Sequence, residues 1–115
     1  MKKQLSIVLP VYNEKESLSL MIKILNSTLD FENEILIVYD NEDDNSIPEA
    51  KKLQHQFDNL VLIHNKLGKG VKYALQAGVN NSKYENILIT AVDEIFPILS
   101  IEKMLNMIVK NNYDF

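Results

Sequence analysis

The sequence predicts an α/β fold: an open parallel sheet in a three-layer α/β/α arrangement, with strand order 3-2-1-4. Short apolar runs alternate with helical-period segments from start to end, and no repeat, low-complexity tract or Pro/Gly-rich linker breaks the alternation. The run Ile35 to Tyr39 is apolar at every position, as expected of a central strand covered on both faces by helices. Strict βα alternation implies parallel strands joined by right-handed crossovers, most simply in that order.

The first strand is Leu5 to Leu9. It runs through Pro10-Val11-Tyr12-Asn13 into a helix whose apolar positions Leu18, Met21, Ile22, Leu25 and Leu29 recur every three or four residues. Asn13 is the expected N-cap, with Glu14 and Glu16 suiting the positive end of the helix dipole. The second strand, Ile35 to Tyr39, is followed by the acidic loop Asp40-Asn41-Glu42-Asp43-Asp44-Asn45. Ser46-Ile47-Pro48-Glu49 then has the pattern of a capping box, opening a helix with Ala50, Leu53 and Phe57 inward. The third strand is Leu60 to Ile63. Gly68-Lys69-Gly70 opens a third helix through Val71, Ala74 and Leu75, and Gly78 suits a left-handed position at its C-terminal end. The fourth strand is Ile87 to Val92, and a last helix is expected from near Ser100 through Ile101, Met104, Leu105 and Ile108. Tyr113-Asp114-Phe115 resembles the approach to a further strand, so the chain is expected to be the first part of a longer protein.

At 115 residues the chain is expected to form a single domain, residues 1–115. At that size folding buries roughly two thirds of the surface exposed by the unfolded chain. The apolar runs are too short to cross a bilayer. The segment after Met1-Lys2-Lys3 contains Pro10 and lacks a small-residue cleavage site, so it is a strand and not a signal sequence. Absence of cysteine excludes disulfides and thiolate metal sites and agrees with a cytoplasmic location. A net charge of −4 argues against nucleic acid as a partner. His55 and His64 lack metal-ligand spacing and are taken as structural.

In an open sheet of this order, ligands bind beyond the carboxyl ends of the strands, where the first and fourth diverge. Tyr12 and Glu14 follow the first strand, Asp40 ends the second, and Asp93-Glu94 ends the fourth. The turn after the first strand has no glycine, which excludes a dinucleotide fingerprint, and no Gly-x-x-x-x-Gly-Lys-Ser/Thr loop exists. A phospho-accepting receiver domain would place an acid after the third strand, where Ile63-His64 stands. Asp43 and Asp44 are expected to form a solvated acidic loop without chemistry.

The run Ile7-Val8-Leu9-Pro10-Val11-Tyr12-Asn13-Glu14 resembles the opening of family 2 inverting glycosyltransferases of the GT-A fold, whose first strand ends in Pro-x-Tyr-Asn-Glu. Tyr39-Asp40-Asn41-Glu42-Asp43-Asp44, Asn65-Lys66-Leu67-Gly68-Lys69-Gly70 and Val92-Asp93-Glu94 follow at the distances expected of that family's further motifs. The stretch around Val38-Tyr39-Asp40 is similar to the polyprenyl-phosphate sugar transferase branch. Two positions depart: Tyr39 replaces the first acid of the second motif, and Val92 the first acid of the metal motif.

The resemblance implies a nucleotide-sugar-binding part that takes a UDP- or GDP-sugar and serves transfer, with inversion, to an acceptor hydroxyl or lipid phosphate. Pro10, Tyr12 and Glu14 would meet the nucleoside, the Tyr12 ring covering the base. Asp40 would accept a hydrogen bond from a ring N–H of the base. Gly68 and Lys69, at the opening of the third helix, would meet phosphate. Asp93 would hold Mg2+ or Mn2+ against the departing pyrophosphate. The catalytic base is expected beyond Phe115, and the full-length protein at the cytoplasmic face of a membrane. The alternatives are a catalytically inactive nucleotide-sugar-binding or regulatory module, favoured by Val92, and a structural interaction domain.

Overall fold

A computed structural model describes residues 4–92 of the chain. In order, the elements are β1 (Gln4–Pro10), α1 (Lys15–Thr28), β2 (Glu32–Tyr39), α2 (Ser46–Gln56), β3 (Leu60–His64), α3 (Val71–Asn81) and β4 (Ile87–Ile89). All the strand pairings are parallel, and the sheet order β3-β2-β1-β4 is the one expected from the alternation. The last helix and the approach to a further strand lie outside the described residues.

Alternation of side chains along the strands sorts the core into two layers. Leu5, Ile7 and Leu9 of β1, with Ile35 and Ile37 of β2, pack against Leu18, Met21, Ile22 and Leu25 of α1 and Ala50 and Leu53 of α2. On the opposite face Val8, Leu36 and Val38 pack against Ala74 and Ala77 of α3. Because β1 and β2 contribute to both layers, their central residues lose all contact with water, which is why they are apolar at consecutive positions.

The small residues of α3 set how closely it lies on the sheet. Gly78 is in the helix and not at a left-handed C-terminal position as expected, and a Cβ there would collide with Val8 Cγ1. Close approach, not backbone conformation, is what requires glycine. Along α3, Ala74, Ala77 and Gly78 are buried against the sheet, Leu75 is half-buried beside them and Val71 is exposed.

Three other local expectations are corrected. The β4 ladder ends at Ile89 and not at Val92, and Val92 turns into the α1-side core, 3% exposed. Asn13 does not cap α1: Glu14 is the N-cap, and Asn13 adopts φ 51°, a left-handed conformation that asparagine tolerates better than most residues. The Ser46–Glu49 capping box does not form either, because Asn45 is the N-cap and the Ser46 hydroxyl is used elsewhere.

At the amino-terminal end of the sheet, a buried polar cluster joins β1, β2 and the α3–β4 turn. Ser6 Oγ donates to Glu34 Oε2 at 2.6 Å, the same carboxylate oxygen accepts the Lys83 N–H at 2.7 Å, and Ser6 Oγ accepts the Tyr84 N–H at 3.1 Å. Burial of Glu34 is thereby matched by donors.

Candidate functional site

At the carboxyl end of the sheet, the described residues enclose a cleft of about 490 Å³, a size typical of small-molecule sites. Pro10, Val11, Tyr12 and Glu14 enter it from the β1–α1 turn, Val38 and Asp40 from the end of β2, Gly70, Val71, Ala74 and Leu75 from the start of α3, and Ile89, Thr90 and Ala91 from the end of β4. The cleft lies where the chain departs from β1 and β4, as the strand order requires.

Tyr12 is 74% exposed and stands free at the cleft wall, held through its backbone and not by packing. That backbone is fixed by the loop after β2. Asp44 Oδ1 accepts the Asn13 N–H, Ser46 Oγ accepts the Glu14 N–H at 2.7 Å, Asn45 Oδ1 accepts the Lys15 N–H at 3.0 Å, and Asn13 Oδ1 returns the interaction by accepting the Asn45 N–H. The opening of α1 is thus capped from a different loop. Asp44 is correspondingly 6% exposed, which corrects its expected place in solvent, whereas Asp43 is exposed as expected.

Asp40 lies at the rim with its main chain tied to the last residue of β3 and its side chain to the residue after it. Asn65 Nδ2 donates to Asp40 Oδ1 at 2.7 Å, and His64 Nε2 is 3.0 Å from the Asp40 carbonyl oxygen. The His64 ring stacks on Tyr39, centroids 4.9 Å apart and planes 10° apart. Asn65 also donates to the Gly68 carbonyl and accepts the Leu67 N–H, which fixes the turn leading to Gly70.

Gly70 is the N-cap of α3, with φ 104° and open space where a Cβ would stand; the conformation itself favours glycine. Among the described residues no side chain caps α3, whose positive dipole end stands at the cleft wall, whereas α1 is capped by side chains from the segment after β2. Gly68 and Lys69 are exposed and are not among the residues lining the cleft, and a Cβ on Gly68 would press on the Tyr73 ring. Thr90 is 4% exposed, and among the described residues its Oγ1 has no hydrogen-bond partner.

Asp93 and Glu94 lie outside the described residues. Among the described residues no group of three or more His, Asp or Glu side chains could hold a metal ion. Also among the described residues, no helix is long and apolar enough to cross a membrane.

Asn65 and Asp44 are the organising residues that reasoning from sequence passed over. The available signal was a short amide between the end of a strand and a Gly-x-Gly turn, and an acid two residues before a helix start; both types bond nearby backbone readily.

The layer arrangement, strand order and terminal cleft define a GT-A-like α/β fold. The model of the family described as "Glycosyl transferase family 2" matches residues 6–115, and the chain belongs to that family. Its structure is similar to that of a mannosyltransferase, PcManGT from Pyrobaculum calidifontis, in complex with GDP-Man and Mn2+, with a TM-score of 0.76 and 17% identity over 94% of this chain and 32% of that one. It is also similar to S. aureus TarS in complex with UDP-GlcNAc, with a TM-score of 0.69 and 19% identity over 94% of this chain and 31% of that one. A mycobacterial protein matches with a TM-score of 0.69 and 16% identity, over 90% of this chain and 37% of that one. The chain therefore spans about a third of the length of these structures. Among curated protein sequences none matches.

Proposed function

We propose that this chain is the nucleotide-sugar-binding part of a glycosyltransferase catalytic domain. The observation that carries the proposal is the convergence of Tyr12, Asp40 and the start of α3 on one cleft of about 490 Å³. Family membership and the nucleotide sugars held by two structural neighbours support it.

In the proposed donor complex, Pro10, Tyr12 and Glu14 meet the nucleoside, the Tyr12 ring covering the base. Asp40 accepts a ring N–H of uracil or guanine, a charge-assisted bond. The start of α3 attracts the diphosphate, with Lys69 and the Gly68 backbone approaching from the preceding turn. Asp93 is the proposed ligand for Mg2+ or Mn2+, a cation that would neutralise charge on the departing nucleoside diphosphate. The sugar then passes with inversion to an acceptor hydroxyl or lipid phosphate, and the likeness around Val38-Tyr39-Asp40 supports polyprenyl phosphate as acceptor. Such a protein would work in the cytoplasm, at the membrane face.

Calorimetric titration of UDP- and GDP-sugars, with and without Mn2+, tests the proposal. Asp40→Ala should weaken binding of the preferred donor by about 1.5 to 3 kcal/mol, the range for a charged hydrogen bond. Equal affinity of variant and parent would remove Asp40 from the site.

One observation favours a second reading, a catalytically inactive donor-binding module. Val92 occupies the position of the metal motif's first acid and is buried in the core, where it serves packing. Donor affinity indifferent to Mn2+ would select this reading over the catalytic one.

A further inference from the structure

Asn65 is 5% exposed, and each polar group of its side chain is committed. Both amide protons are used, toward Asp40 Oδ1 at 2.7 Å and the Gly68 carbonyl at 2.8 Å, while Oδ1 accepts the Leu67 N–H at 3.0 Å. Turning the amide over would set its oxygen against two acceptors and its NH2 against a donor. Only one orientation is therefore compatible with its surroundings, and in that orientation Asn65 offers Asp40 a donor.

The carboxylate of Asp40 consequently has one oxygen occupied. Among the described residues Oδ2 has no hydrogen-bond partner, and Asp40 borders the cleft. We propose that Asn65 is a positioning residue that sets the base preference of the cleft. By holding Oδ1, it leaves Oδ2 as a fixed acceptor for the base edge, favouring bases that present a ring N–H, uracil and guanine, over those that present a ring nitrogen acceptor, cytosine and adenine. This inference rests on the nucleotide-binding proposal and adds to it the residue that fixes the polarity of base recognition.

The same geometry foretells what happens when Asp40 becomes an amide. The donor of Asn65 still demands an acceptor, so the amide oxygen of the Asp40→Asn variant takes the place of Oδ1 and its NH2 faces the cleft. The site then offers a donor where it offered an acceptor, and the base preference reverses. If Asn65 served only to hold the Gly68 turn, the new amide could present either end, and Asp40→Asn would lose affinity without acquiring a preference. Asp40 is exposed and the change conserves shape, so folding of this variant is not at stake.

The test is calorimetric titration of the matched pairs UDP against CDP and GDP against ADP, into the parent chain, Asp40→Asn, and Asp40→Asn with Asn65→Ala. Thermal melts of each variant provide the check on folding. The parent should favour the N–H-bearing member of at least one pair by about tenfold or more, the scale of one charged hydrogen bond. Asp40→Asn should favour the other member, and the double variant should lose the discrimination. Retention of the parental preference by Asp40→Asn, or its equal binding of both members, would overturn the role of Asn65 while leaving the nucleotide site intact. A parent chain that binds none of the four would overturn the nucleotide proposal itself, and this inference with it.

Discussion

Asp44, in the loop after β2, accepts through Oδ1 the backbone N–H of Asn13 in the turn after β1, at 3.1 Å across 31 residues of chain. The same oxygen accepts the Ser46 N–H at 2.8 Å. One buried carboxylate oxygen therefore ties the turn that carries Tyr12 to the start of α2. Asn13 is held at φ 51° by this contact and by its own acceptance of the Asn45 N–H.

Asp44→Ala should leave two N–H groups without that acceptor and destabilise the fold by about 1 to 3 kcal/mol, the cost of unsatisfied buried donors. Asp43→Ala, one residue earlier and exposed, should change stability by about 0.5 kcal/mol or less. Urea denaturation of the two variants beside the parent measures the difference; equal effects would deny Asp44 its tying role.

Gly78→Ala should destabilise the chain by about 1 to 3 kcal/mol through overpacking of α3 against β1. Val8→Ala in the same chain should recover part of the loss, because the added methyl then occupies space vacated by Val8 Cγ1. Strict additivity of the two changes in a thermal-melt cycle would show that the two residues do not compete for space.

Ser6→Ala removes both a donor to Glu34 and an acceptor for the Tyr84 N–H at the far end of the sheet. Stability should fall by about 1 to 3 kcal/mol, while nucleotide affinity, read by calorimetry, should stay unchanged. Loss of affinity in a stably folded Ser6→Ala chain would place the ligand elsewhere than at the carboxyl-end cleft.

Tyr12→Ala should weaken nucleotide binding by about 1 to 3 kcal/mol, the scale of base stacking on an aromatic ring. Tyr12→Phe should bind as the parent does, since the ring face and not the hydroxyl makes the proposed contact. Because Tyr12 is 74% exposed, neither change should alter the melting temperature appreciably. Fluorescence competition with a labelled nucleotide separates the two variants.

The layers of this fold were legible in the sequence because burial repeats with the period of each element. Consecutive apolar residues in Ile35 to Val38 marked a strand covered twice, and Leu18, Met21, Ile22 and Leu25 marked one helix face. Tyr12 and Asp40 could be assigned to one rim because strand order alone brings strand ends together. What periodicity could not reveal was pairing between loops. Nothing local to Asn13, Ser46 or Asn65 specifies a partner more than twenty residues away, so local caps were expected where the chain makes cross-loop bonds. The role of Gly78 was misjudged for a related reason: a glycine near a helix end has the same local signature whether it turns the chain or admits a neighbouring strand.

If Tyr12, Asp40 and the start of α3 form one nucleotide site, as proposed, a donor should perturb all three together. The most direct measurement is a titration of UDP- and GDP-sugars into isotopically labelled chain, following backbone amide resonances. Tyr12, Asp40, Gly70 and Val71 should shift together along a single binding curve while Ser6, Lys83 and Tyr84 stay in place. Resonances of the first group that remain still at saturating donor, or shifts concentrated in the second, would contradict the proposed site.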